Sequence, residues 1–372
     1  MIYLDNAATT VKKPFSVYKS LMYGTIFESG NAGRGGHAMS VKSTEAIIEA
    51  QDEIAGLFNI DNPQNIAFTM NATYALNMVI LGVLLSGGHA IASQMSHNSV
   101  LRPLYRHGDY TIVKSGKDGY TNPEAFRDAI RDNTKLIVCT HASNVCGTIE
   151  PIEEICRSAR KNNFLCLIDT AQRAGCLDID EERINADFIV FSGHKGLMGP
   201  LGTGGLYVKD PMSLMPVITG GTGSKSESLV QPRFMPDMFH SGTVNAPAIK
   251  ALTEGVRYIR RHGADKIGEY EQNLAKALEE KLLNMGGVTV YGRANRIGTT
   301  AFNLNGRSSG EIAQRLSDKF ALRSGYHCAP LAHAALGTAK TGVVRASFGV
   351  FNKERDVNKL ADAVWQLRKS EI

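Results

Sequence analysis

The feature that most limits how this chain can fold lies between about residues 60 and 210, where short apolar runs alternate with amphipathic stretches. The apolar runs at 66–69, 90–94, 110–113, 135–140, 164–169, 187–192 and 205–208 have the length and β-branched content of buried strands. Between them, 73–86, 99–107, 123–130 and 152–161 carry helical periodicity. Strand, helix and strand repeated in this way predict an α/β fold with a mainly parallel seven-stranded sheet. Ligands of such sheets sit outside the carboxyl ends of the strands.

After residue 211 the pattern changes. "ITGGTGSKSESL" (218–229) is Gly/Ser-rich and reads as a long loop. Helices follow at 246–262, 266–284, 309–320 and 354–369, with strands at 288–291, 299–304 and 343–348. This mixture predicts a second, smaller α+β domain. The expected division is a large domain of residues 15–245 and a small one built from 1–14 and 246–372.

Composition removes several function classes. The 372 residues carry a net charge of +5, without a long basic run, which gives no footprint for nucleic acid. No apolar run is long enough to span a membrane, and "MIYLDNAATT" is not a secretory leader. Six cysteines without a CxxC pair argue against a disulfide scaffold or a zinc site. A reducing, cytoplasmic location is expected.

The chemistry gathers at the predicted strand ends. "FSGHKGLMGPLGTG" (191–204) follows an apolar run and places Ser192, His194 and Lys195 before a glycine-rich stretch. A lysine there can form a Schiff base with an aldehyde cofactor, and the glycines let the backbone approach closely. "CLIDTAQRAG" ends another run at Asp169. A buried acid is costly unless a partner needs it, and a protonated pyridine nitrogen is such a partner. Thr73 opens a helix, so it either caps that helix or binds phosphate with the help of the free N–H groups. Ser192 and His194 could join it at the phosphate. His97 could stack on an aromatic cofactor; a helix cap or a satisfied core histidine is the plainer reading.

Taken together, the motifs resemble pyridoxal-phosphate enzymes of fold type I in the class V aminotransferase family, cysteine desulfurase and selenocysteine lyase branch. The resemblance runs through "YLDNAATT" (3–10), "NATYALN" (71–77), "HNSVLRPL" (97–104), "HASNVCGTI" (141–149), "IDTAQ" (168–172), "SGHK" (192–195), "HSGT" (240–243), "RSGYHCAPLAH" (323–333) and "VRASFGVFN" (344–352). It implies that Lys195 holds pyridoxal 5'-phosphate, with Thr73, Ser192 and His194 on the phosphate and Thr243 reaching in from the partner of a homodimer. It implies that His97 stacks on the ring, Asp169 pairs with the ring nitrogen and Gln172 with the ring hydroxyl. Asn144, also a cofactor neighbour, and Arg345 would grip the substrate carboxylate. Lys195, Cys328 and His97 become the catalytic set. Cys328 would take sulfur from L-cysteine as a persulfide, release alanine, and pass the sulfur to an acceptor that the sequence does not name.

Cys328 stands among polar and turn residues, unlike the five other cysteines, which lie in or beside apolar segments. Cys146 is the nearest of those five to the expected cofactor, with packing as its plain role. Arg323 and His327 are candidate cations beside Cys328. Two enzyme readings remain open: a cysteine desulfurase, or a selenocysteine lyase or other C–S lyase with the same cofactor. A non-catalytic protein that keeps the fold and binds a partner is the third.

Overall fold

The computed structural model describes residues 1–369. In chain order the elements are β1 (Ile2–Tyr3), α1 (Phe15–Phe27), α2 (Ala38–Phe58), β2 (Ile66–Thr69), α3 (Ala72–Leu84), β3 (His89–Ser93), α4 (Asn98–His107), β4 (Tyr110–Val113), α5 (Pro123–Asp128), β5 (Thr134–Thr140), α6 (Ile152–Lys161), β6 (Leu165–Asp169), α7 (Glu181–Ile184), β7 (Phe188–Ser192) and β8 (Gly204–Val208). The rest of the chain forms α8 (Ala246–His262), α9 (Ala264–Leu283), β9 (Val288–Tyr291), β10 (Thr299–Leu304), α10 (Ser309–Leu316), β11 (Phe320–Ala321), β12 (Arg323–Gly325), α11 (Pro330–Ala335), β13 (Val343–Ser347) and α12 (Glu354–Lys369).

All seven strands expected between 60 and 210 form one sheet, in the order β2-β8-β7-β6-β5-β3-β4. β8 runs antiparallel to both neighbours, and the remaining pairs are parallel. The strands read as unbroken apolar runs because both faces are covered. Alternate residues go to opposite sides. Ile137, Cys139, Ile168, Ile189 and Phe191 share a core with α2, α6 and α8, whereas Leu136, Val138, Leu167, Phe188 and Val190 pack with α3 and α4. A third core joins α9, α10 and α12 to an antiparallel four-stranded sheet, β12-β13-β10-β9.

Two differences from the sequence reading have physical causes. Residues 15–58 hold α1 and α2, which lie before the alternating pattern begins. α1 leaves Phe15, Met22, Ile26 and Phe27 exposed, so its apolar residues mark no single buried stripe. The helix expected over 309–320 stops at Leu316, because Phe320 and Ala321 pair with β1 and Arg323–Gly325 pair with β13. The segment 218–229 contains no helix or strand, in line with its composition.

Strand register sets the site. Thr140 at the end of β5 lies opposite Asp169 at the end of β6. Ser192 at the end of β7 lies opposite Gly204, the first residue of β8, and Gly204 also faces Thr69 at the end of β2. The carboxyl ends of β5, β6 and β7 therefore open on one edge beside the start of α3.

Candidate active site

A cavity lies at that edge, lined by Thr73, His97, Asn144, Asp169, Gln172, Ser192, His194 and Lys195 among others. These eight residues come from five separate segments, and all of them were expected there.

Each position has a local cause. Asn71 caps α3 by accepting from the Tyr74 N–H at 3.1 Å. Thr73 is thereby released from capping, and its hydroxyl lies 2.7 Å from Ser99 Oγ. α3 has no acidic residue in its first turn, so its positive end stays unneutralised. The plainer reading of His97 is realised, since its Nδ1 accepts from the Ser99 N–H at 3.0 Å and caps α4; its ring also lines the cavity. The carbonyl of His194 accepts from the Thr10 N–H at 3.0 Å, which fixes the Ser192–Lys195 turn against the N-terminal segment.

Burial dominates the electrostatics. It lowers Lys195 from the usual 10.5 to about 8, although Asp169 opposes the shift. Burial raises Asp169, against the Ala171 N–H and Lys195. His97 and His194 are both lowered to about 4, by burial first and then by Lys195, so both rings are neutral at neutral pH.

The remaining candidates lie apart. Arg345, on β13, is 1% exposed. It donates to the Asn144 carbonyl at 2.6 Å and to Asp5 Oδ1 at 2.6 Å. Cys328 is the one exposed cysteine; the other five are buried. It follows β12 in a turn where His327 and Cys328 both have positive φ, 50° and 56°. Two bonds hold this unfavourable backbone. Asn144 Nδ2 donates to the His327 carbonyl at 2.6 Å, and the Asn98 N–H donates to the Cys328 carbonyl at 2.7 Å. An Arg323 terminal nitrogen lies 3.7 Å from Cys328 Sγ. His327 is not the second cation: it is buried, and burial with Arg345 holds it far below the usual range, so it is neutral. Cys146 is fully buried with Sγ 3.3 Å from Thr148 Oγ1, a packing role. Thr243 is exposed and lines a different cleft with Thr69, Met70 and Tyr74. Among the described residues no cluster fits a metal ion, and no helix is long and apolar enough to cross a membrane.

Sequence reasoning missed Asn71, Ser99 and Asp5. Asn71 and Ser99 stand inside quoted motifs, and an Asn directly before a helix start is a recognisable cap signal. Asp5 has no such local signal.

The cavity suits an aromatic aldehyde phosphate. Asn144 Oδ1, Thr140 Oγ1 and His194 Nδ1 are buried without partners. Buried polar atoms are seldom left unpaired, so this set asks for a polar ligand. A carboxylate, an amine and a hydroxyl–imidazole cluster at a helix start match ring nitrogen, carbonyl and phosphate in turn. The family described as Aminotransferase class-V matches residues 2–360. The chain belongs to that family. Class-V aminotransferases use pyridoxal phosphate, and the cofactor requirement extends to this chain. A probable cysteine desulfurase of Methanothermobacter thermautotrophicus is 31% identical, covering 98% of this chain and 94% of its own. A cysteine desulfurase of Salmonella typhimurium is 30% identical over 99% of this chain and 94% of its own. The apo cysteine desulfurase structure from Thermococcus onnurineus superimposes with a TM-score of 0.93 at 30% identity, covering 99% of this chain and 95% of the other.

Proposed function

We propose that this chain is a cysteine desulfurase that converts L-cysteine to L-alanine and leaves the sulfur on Cys328 as a persulfide. The observation that carries this reading is the Cys328 turn. Its thiol is exposed, and its backbone is tied to Asn144 and to the start of α4, both at the cavity that holds Lys195. An aminotransferase has no use for such a thiol.

In this reading Lys195 carries the cofactor, Asp169 keeps its ring nitrogen protonated, Gln172 meets the ring hydroxyl, and His97 lies against the ring as an uncharged plate. Thr73, Ser192, His194 and the α3 start hold the phosphate. Bound there, the cofactor supplies an electrophilic carbonyl for the substrate amine and takes up the electrons released at Cα. Arg345 and Asn144 orient the substrate carboxylate. Lys195, half-buried and lowered to about 8 by desolvation, is neutral often enough to take the Cα proton. Cys328 Sγ attacks the substrate sulfur; the Cβ–S bond breaks and an S–S bond forms. Cβ gains a proton and becomes the methyl of alanine. L-cysteine and one thiol thus become alanine and one persulfide.

We infer also that two copies associate, so that Thr243 of one reaches the phosphate held by the other. The support is that Thr243 is exposed and turned to a separate cleft in the single chain. The acceptor of the persulfide is a thiol that can reach the exposed turn.

The test is product analysis with L-cysteine and selenocysteine in parallel. Alanine from cysteine, with added sulfur on the Cys328 peptide by mass spectrometry, is the expected result. Turnover of selenocysteine alone would favour a selenocysteine lyase. Free sulfide with no sulfur on Cys328 would favour a direct C–S lyase.

A further inference from the structure

Asp5 belongs to "YLDNAATT", a motif to which the reaction assigns no chemistry. Its backbone is fixed against the strand that carries Arg345. The Ser347 N–H donates to the Leu4 carbonyl at 2.7 Å, Asp5 bridges Ser347, and Asn6 Nδ2 donates to the Ser347 carbonyl at 2.9 Å. Leu4, fully buried, anchors the segment in the core beneath β13. The Asp5 carboxylate is thus delivered to Arg345 by strand pairing, not by a flexible side chain.

Arg345 is 1% exposed and Asp5 is its ion-pair partner at 2.6 Å. A guanidinium has five N–H donors in one plane. One from Nη2 is spent on Asp5 and one from Nη1 on the Asn144 carbonyl, while Nε is buried with no partner. Two acceptors at separate nitrogens fix both the position and the rotation of the plane. They leave Nε–H and one N–H on each terminal nitrogen for a further acceptor. Asn144 then continues the connection, since its own Nδ2 holds the His327 carbonyl beside Cys328.

We propose that Asp5 is a positioning residue for substrate binding, which pins Arg345 so that its unspent N–H donors meet a substrate carboxylate. This rests on the reading above in which Arg345 takes that carboxylate. The ligand class it serves is an α-amino carboxylate rather than a simple amine. Without the Asp5 charge, Arg345 is a buried cation without a counter-ion and with one pin fewer, and the plane turns away from the bidentate pose.

The test uses holoenzyme and two ligands that differ only in the carboxylate, L-alanine and ethylamine. Binding is read from the change in the cofactor's absorption band, which needs no turnover. Asp5→Asn keeps the side-chain shape and removes the charge. It is expected to weaken L-alanine roughly tenfold, with ethylamine held within about twofold. Effects that act on the cofactor or on Lys195 shift both ligands and cancel in the ratio. The KM for cysteine is expected to rise by a similar factor, with kcat changed much less. Equal losses for the two ligands would make Asp5 merely structural and overturn the proposal. Unchanged or tighter alanine binding would overturn it too, the latter marking Asp5 as a competitor for Arg345. Should Asp5→Asn not accumulate as folded holoenzyme, Asp5→Glu carries the test. It keeps the charge but moves it by one methylene, so the same selective loss is expected, and an unchanged ratio overturns the proposal. Failure of the wild type to release alanine from cysteine would instead count against the desulfurase reading, and the binding ratio would still judge Asp5.

Discussion

Lys195 pays a burial penalty until its amine is neutral or engaged, because its folded value of about 8 lies below the usual 10.5. The sign follows from proton binding. Below pH 8 folded and unfolded chains both carry the proton, so the penalty is constant and largest. Between 8 and 10.5 the unfolded chain still holds it while the folded chain has lost it, so folded stability rises with pH. Lys195→Met is therefore expected to stabilise the cofactor-free protein at pH 7 by a few kcal/mol, on the order of 3. The gain should shrink to nothing as pH approaches 10.5. Chemical denaturation of both proteins across that range checks it; a gap that does not depend on pH counts against the buried-cation account. The same variant should lose turnover and the covalently bound colour. A second residue-scale expectation concerns sulfur. Cys328→Ala should bind cofactor and cysteine yet form no persulfide, while Cys146→Ala, which loses only packing, should turn over at close to the wild-type rate. Intact-protein mass after a cysteine pulse separates the two. Lys195 and Asp169 were legible in the sequence because each is a costly group at the end of an apolar run. Asp5 was not, because its partner Arg345 is 340 residues away and only folding joins them. His327 was misread as a cation because sequence shows proximity to Cys328 but not burial.

Among the elements, β8 approaches the start of α3 closely, and this contact bears on the cofactor. A Cβ on Gly204 would lie 2.7 Å from the Asn71 backbone and 3.0 Å from the Ala72 nitrogen. Gly204→Ala must therefore push the α3 start away from Ser192. It is expected to weaken cofactor binding roughly tenfold and to cost about 1–3 kcal/mol of stability. Reconstitution titrations and thermal unfolding measure both; undiminished cofactor affinity would mean that the α3 terminus does not hold the phosphate. The seven strands were legible because both faces of the sheet are covered and the apolar runs are uninterrupted. α1 was not, since Phe15, Met22, Ile26 and Phe27 stay exposed and blur its inward face. The Cys328 turn was legible as a turn, but not its shape. Two successive left-handed residues without a glycine need the outside hold of Asn144 and Asn98, which sequence does not display.

For the whole molecule, a pair of copies related by a two-fold axis would build each site from both chains. Lys195→Ala and Thr243→Asp are each expected to be inactive, the second by placing a negative charge at the partner's phosphate. Mixed after unfolding and refolding together, they should recover about a quarter of wild-type activity, because half of the pairs are mixed and each mixed pair has one intact site. No recovery, with mixed pairs verified by mass, would place Thr243 elsewhere. The overall architecture was legible from the order of motifs. One further property follows from the path of the chain around the large sheet. β8 lies in the sheet before the exposed stretch 225–230, and α8, after it, buries Ile249, Leu252, Val256 and Ile259 in the core beneath the same sheet. A protease nick in that stretch would therefore yield two polypeptides held together by shared interior surface. Expressed as separate halves, they should find each other and reconstitute.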